Sequence, residues 1–197
     1  MSRNVFRYLG SALLLAAALL LTAPGARALE LATVLENTIV SPPACVRFRE
    51  ERHNRMLKEP LVLTGYLEYL EEGRLRKVVE TPFPESFLVA GDRVEVIRDG
   101  KVRTIPLNRS KTLRTMLGGI EAIVAGQADR LESQFHYALD GSRDAWSLRL
   151  TPRSRQVSRH LIGLTVIGGA SSVRSIRFDL KENEWHLLEF LPELPQQ

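Results

Sequence analysis

Residues 61–107 read LVLTGYLEYLEEGRLRKVVETPFPESFLVAGDRVEVIRDGKVRTIPL. Leu61, Leu63, Gly65, Leu67 and Tyr69 alternate with Val62, Thr64, Tyr66 and Glu68, a period of two that assigns each set to one face of a strand. Glu71-Glu72-Gly73 is a turn, and Leu75 to Glu80 returns as the next strand. Pro82 and Pro84 separate it from Phe87 to Ala90. Gly91-Asp92 turns the chain into Arg93 to Arg98, and Asp99-Gly100, the strongest short hairpin signal, turns it into Lys101 to Leu107. Short strands at regular spacing with tight turns predict an antiparallel meander, either open or closing into a barrel.

The pattern extends both ways. Upstream, Val46 and Phe48 alternate with Arg47 and Arg49, while Leu31, Val34, Leu35 and Thr38 in 29–40 keep three-to-four spacing and predict a short helix ended by Pro42-Pro43. Downstream, Leu113, Met116, Leu117, Ile120, Ile123, Val124 and Leu131 keep helical spacing across Gly118-Gly119, which predicts two short helices joined at that glycine pair. Strands resume at Ser133 to Leu139 and Ala145 to Thr151 around an Asp140-Gly141 turn, with Trp146, Leu148 and Leu150 on one face. His160 to Gly168, Val173 to Leu180 and Glu184 to Phe190 complete the set. The fold class is mainly β with helices (α+β): one twisted antiparallel sheet of about nine or ten strands, curled so that helices lie against its concave side.

Residues 1–28 have the form of a cleavable export signal. Arg3 and Arg7 give a positive start, Leu13 to Leu21 an apolar run, and Ala26-Arg27-Ala28 a small-x-small site that places the cut between Ala28 and Leu29. The run is too short for a bilayer, which takes about 20 apolar residues. The single cysteine, Cys45, lies far from the cut, so neither lipid anchoring nor an internal disulfide is expected. Residues 29–197 then form one domain of 169 residues (197 minus 28). Three of the 27 Lys and Arg belong to the signal, leaving 24 against 23 Asp and Glu, a net charge of +1. A nucleic-acid footprint is not supported by that balance.

The search for chemistry is mostly negative. No nucleophile elbow, zinc-protease motif, paired cysteines or phosphate-binding glycine loop occurs. His53, His136, His160 and His186 are far apart and read as strand packing; Glu50-Glu51 and Glu71-Glu72 read as solvated charge, and Cys45 as a buried structural residue. Arg109, Lys111 and Arg114, and Arg153, Arg155 and Arg159, form two local basic clusters. Their simplest reading is a solvated face, with contact to anionic lipid headgroups as the alternative. No enzyme activity, metal or cofactor is expected. What remains is apolar area: Phe48, Leu63, Leu67, Tyr69, Leu75, Phe87, Val89, Val94, Val96, Trp146, Leu148 and Leu150 are candidates to line one concave surface lidded by Met116, Leu117 and Ile120.

Phe48-x-Glu50 in the first strand, Gly65-x-Leu67-x-Tyr69 in the second, a basic return strand before Pro82, a strand ending at Gly91-Asp92, central helices and closing strands together resemble the LolA family of periplasmic lipoprotein carriers. The pattern is most similar to the divergent LolA-related proteins found with aryl-polyene genes. The resemblance implies an unclosed antiparallel half-barrel with a helical lid over an apolar cavity. It implies a soluble periplasmic monomer that shields the acyl chains of a lipoprotein or glycolipid between an inner-membrane donor and an outer-membrane acceptor, or alternatively a lipid-binding sensor of the RseB type. Typical carriers have Phe-x-Gln where Glu50 stands, and an Arg-Pro step where this chain has Glu71-Glu72-Gly73.

Overall fold

The computed structural model describes residues 29–71 and 74–191; the signal predicted for 1–28, including Ala28, lies outside them. Eleven strands form one sheet: β1 (Ala44–His53), β2 (Leu61–Glu71), β3 (Arg74–Thr81), β4 (Glu85–Ala90), β5 (Arg93–Arg98), β6 (Lys101–Pro106), β7 (Phe135–Ser142), β8 (Ala145–Pro152), β9 (Leu161–Gly169), β10 (Val173–Leu180) and β11 (Trp185–Leu191). Their order is β6-β5-β4-β3-β2-β1-β11-β10-β9-β8-β7, antiparallel throughout. Two meanders, β1 to β6 and β7 to β11, are thus joined at the centre, where the first strand pairs with the last. The sheet has eleven strands against about nine or ten expected, because each segment read as a strand forms one and none is lost from the sheet. The edges β6 and β7 are not paired with each other, and the sheet stays unclosed.

This topology forces a crossing. The segment between β6 and β7 must travel from one edge of the sheet to the other, and it does so through a 3-10 turn (Leu107–Arg109) and two helices, α2 (Lys111–Val124) and α3 (Ala128–Gln134). A short α1 (Leu31–Glu36) precedes β1, and a single-turn α4 (Arg155–Ser158) follows β8. Ser110 starts α2 by accepting a 3.2 Å hydrogen bond from the Leu113 amide. Helix α2 runs unbroken through Gly118-Gly119, where a joint between two helices was expected. The pair serves close packing instead: a β-carbon on Gly119 would stand 3.2 Å from the Phe135 ring. The break comes at Gly126, whose φ of +68° only glycine adopts readily.

Asp140-Gly141 likewise differs from its expected place in a turn. Both residues lie inside β7, with Gly141 opposite Trp146, and the hairpin turns at Arg143-Asp144. Trp146 sets this register, because its indole N–H donates to the Gly169 carbonyl at 2.8 Å and its ring covers Gly168. Asp99-Gly100 does form a tight turn, with φ of 50° and 71°.

Curvature begins at Gly65. The pairing of β2 with β3 slips between Thr64 and Gly65, so that Thr81 and then Val79 are their partners, and a β-carbon on Gly65 would overlap the Val78 carbonyl oxygen. Such a bulge bends and twists the strand that carries it. The helices pack chiefly on the β7 to β9 half of the concave face. There they seal a core of Leu35, Ala122, Ile123, Leu131, Phe135, Trp146, Leu148, Leu150, Val157, Leu161, Leu164 and Ile176, each at most 3% exposed.

Candidate functional site

Register fixes which residues look into the concavity of the β1 to β6 half. Phe48 faces Gly65, Gly65 faces Val79 and Val79 faces Glu85; Leu67, Lys77, Phe87 and Val96 form a second row, and Tyr69, Leu75, Val89, Val94 and Ile105 a third. Phe48, Leu63, Tyr69 and Val94 are buried, whereas Leu67, Leu75, Phe87, Val89 and Val96 remain half-buried. Here the concave face is an apolar wall still partly open to solvent. A small cluster of Phe48, Leu63, Val79 and Leu188, flanked by Leu61, Leu67, Phe87 and Phe190, forms its floor.

The structure therefore divides the apolar residues singled out in the sequence into two groups. Phe48, Leu63, Leu67, Tyr69, Leu75, Phe87, Val89, Val94 and Val96 share this wall. Trp146 and Leu148, at 3% and 0% exposure, belong instead to the sealed core beneath the helices, and Met116 and Ile120 pack against that same core. Leu117 is half-buried on α2.

Sequence reasoning missed the charged part of the face. Glu50, expected on solvent, is 4% exposed, because it has the same strand parity as Phe48 and points inward opposite Leu63 and Leu188. The Arg52 guanidinium donates two hydrogen bonds to its carboxylate, at 3.0 and 3.2 Å, and Lys77 donates a third. The Lys77 ammonium also lies 4.7 Å from the centre of the Phe48 ring. His186 Nδ1 stands 3.8 Å from Glu50. A second buried carboxylate, Glu85, accepts from Arg98 Nε at 2.9 Å.

Burial shapes the charge states. It pushes the Glu50 carboxyl up, but Lys77 and Arg52 outweigh it and hold the group below its ordinary range. Burial lowers Lys77, with Glu50 opposing. At His186, burial and then the Arg52 charge bring the pKa down to about 4, so the imidazole is neutral at pH 7. Three cations (Arg52, Lys77, Arg98) thus face two carboxylates (Glu50, Glu85), a net +1 at one end of the concave face. The opposite end, at Tyr69, Leu75, Val89, Val94 and Ile105, carries apolar side chains. One sequence signal could have found the cluster: Glu50 and Lys77 occupy inward parity between Phe48 and Arg52 and between Leu75 and Val79.

The convex face is different. Arg47 pairs with Glu80 at 2.8 Å, Arg49 with Glu51 at 2.6 Å, and Arg76 with Glu68 at 3.1 Å, all at the surface. Cys45, expected to be buried, is exposed there, because its parity in β1 matches Arg47 and Arg49. His53 stacks on Trp185 across the β1–β11 pair, with ring centres 5.7 Å apart.

A family model described as "Outer membrane lipoprotein carrier protein LolA-like" matches residues 23–186. The chain belongs to this LolA-like family. No curated protein matches it in sequence. Among solved structures, a LolA superfamily protein from Nitrosomonas europaea is similar at a TM-score of 0.42 and 14% identity, over 85% of this chain and 96% of its own. The lipoprotein LppX of Mycobacterium tuberculosis is similar at 0.45 and 12%, over 85% and 98%, and LprF of Mycobacterium bovis at 0.37 and 12%, over 82% and 91%. Family membership rests on the sequence match, and the LolA-like chain keeps the unclosed sheet and crossing helices described above. Among the described residues, no helix of this LolA-like chain is long and apolar enough to cross a membrane.

Proposed function

We propose that this LolA-like chain is a periplasmic carrier that shields the acyl chains of a lipidated cargo, a lipoprotein or a glycolipid, against the apolar wall of β2 to β5, and moves it toward the outer membrane. One observation carries this proposal: Leu75, Phe87, Val89 and Val96, with Leu67 across Lys77, form an apolar surface left half-buried beside a core sealed by helices. Exposed contiguous apolar area on a protein marks a binding surface. Each methylene buried there contributes about 0.8 kcal/mol, so a dozen contribute about 10 kcal/mol before ordering costs are subtracted.

The two ends of the face orient the guest. Acyl chains lie over the Tyr69, Leu75, Val89 and Val94 end, and the polar part of the cargo points to the Glu50, Arg52, Lys77 and His186 end. Delipidated protein should take up a fluorescent fatty acid, and Leu67→Trp, which fills the wall, should weaken uptake at unchanged stability. Folded wild-type protein that takes up no probe rules the proposal out.

A further inference from the structure

The first basic cluster of the sequence meets one member of the second in space, Arg153, which lies 39 residues beyond Arg114 (153 − 114 = 39). Arg109 from the 3-10 turn, Lys111 and Arg114 from the start of α2, Arg130 from α3 and Arg153 just after β8 line one concavity of about 830 Å³. The remaining lining residues are uncharged, namely asparagine, threonine, serine, glutamine and glycine, so no carboxylate faces the opening. Of the five cations, Arg130 has a carboxylate partner, Glu121 at 2.6 Å, and Arg153 uses its Nε on the carbonyls of Glu132 and Phe135.

The placement runs against local stability. Lys111 and Arg114 sit in the first turn of a 14-residue helix that has no acidic residue there. A cation at that end opposes the helix dipole, where an anion would be favoured by about 0.3–1 kcal/mol. Arg109, Lys111, Arg114 and Arg153 have no carboxylate partner among the described residues, and like charges held together add to the cost. An anion in the groove reverses both effects.

We infer that this groove is a docking site for the phosphate groups of anionic lipid headgroups at a membrane surface. The charge selects an anion, and the guanidinium groups of Arg109, Arg114 and Arg153 suit the oxygens of a phosphate. The choice of a lipid source rests on the carrier proposal and on position: the groove begins at Asn108, next to Leu107, whose amide donates to the Asp92 carbonyl two residues before Val94, at the apolar end of the wall. A bilayer docked at the groove presents acyl chains to that end.

Flotation with phosphatidylcholine vesicles, with and without phosphatidylglycerol, tests the inference on the full mature chain. Binding should require phosphatidylglycerol and fall with added salt. Each basic residue near an anionic surface contributes about 1 kcal/mol, so the Lys111→Gln, Arg114→Gln double variant should bind about thirtyfold more weakly. Lys58→Gln, on an exposed loop, should bind as wild type does. Fatty-acid uptake by the double variant should be unchanged, which keeps this result separate from the carrier test. Three outcomes overturn the inference: equal binding to neutral vesicles, equal losses from Lys58→Gln and the groove variant, or titration by glycerol phosphate in solution without vesicle binding.

Discussion

Glu50→Leu removes the carboxylate on which Lys77 and Arg52 converge, and its consequences can be worked out from the geometry. Glu50 is 4% exposed and accepts from both cations; after its loss, Lys77 and Arg52 are left as like charges, with His186 neutral nearby and Glu85 already engaged by Arg98. Breaking a buried ion pair from one side costs about 3–5 kcal/mol. For a domain of this size that corresponds to a fall in Tm of about 10 °C. Lys77→Met alone should cost less, about 2–3 kcal/mol, because Arg52 retains its two hydrogen bonds to Glu50. The double variant Glu50→Leu, Lys77→Met replaces the pair with apolar groups and leaves Arg52, whose side chain is 28% exposed, to reach water. It should recover at least about 2 kcal/mol relative to the sum of the single losses. Urea unfolding of the four proteins measures the cycle. Additive single effects would refute the buried pair, whatever the size of each loss.

His186 has a folded pKa of about 4 against an ordinary 6.5, so the unfolded chain binds the extra proton between those values and stability should fall by about 3 kcal/mol as pH drops from 6.5 to 4. His186→Gln should flatten that slope in unfolding free energy measured against pH. Glu50, held below 4.5, contributes stability above that value that is lost at still lower pH, and Glu50→Gln should remove this acid limb. Gly168→Ala drives a β-carbon into the Trp146 ring and should cost about 3 kcal/mol with a shift in tryptophan emission; unchanged emission would contradict the contact. Leu148→Ala, in the sealed core, should lower stability by about 2–5 kcal/mol while fatty-acid uptake persists, the reverse of Leu67→Trp.

Strand periodicity was legible wherever one face is buried. The alternation at Leu61, Leu63, Gly65, Leu67 and Tyr69 matches the inward set, because a slip of one residue would turn every apolar side chain outward. Glycine was less legible. Gly118-Gly119 and Gly141 read as breaks from the sequence, yet each lies inside a regular element, where a β-carbon would crowd the Gln134 side chain at Gly118 and the Phe135 ring at Gly119 and would overlap the Ala145 carbonyl at Gly141. Which ring approaches is a tertiary fact, and no local window contains Phe135 beside Gly119. The ion cluster was hidden for a related reason. Glu50 and Lys77 have the parity of core residues and the chemistry of surface ones, and only their pairing across β1, β2 and β3 resolves the conflict.

The division of the concave face links stability to function. Among the described residues, sixteen buried ones form the helix-covered core and four form the floor of the open wall, so the fold depends mainly on the half that the helices seal. The other half can leave Leu67, Leu75, Phe87, Val89 and Val96 partly exposed without losing the structure, and a rigid apolar surface avoids the ordering cost that a flexible one would incur on binding. On the carrier proposal, the Glu50–Lys77–Arg52 cluster has a role that packing alone would not require. Well-packed apolar residues of similar volume would stabilise that end of the sheet at least as well, but they would extend the apolar wall along the whole strand length and leave nothing to fix which end of an amphiphile points where.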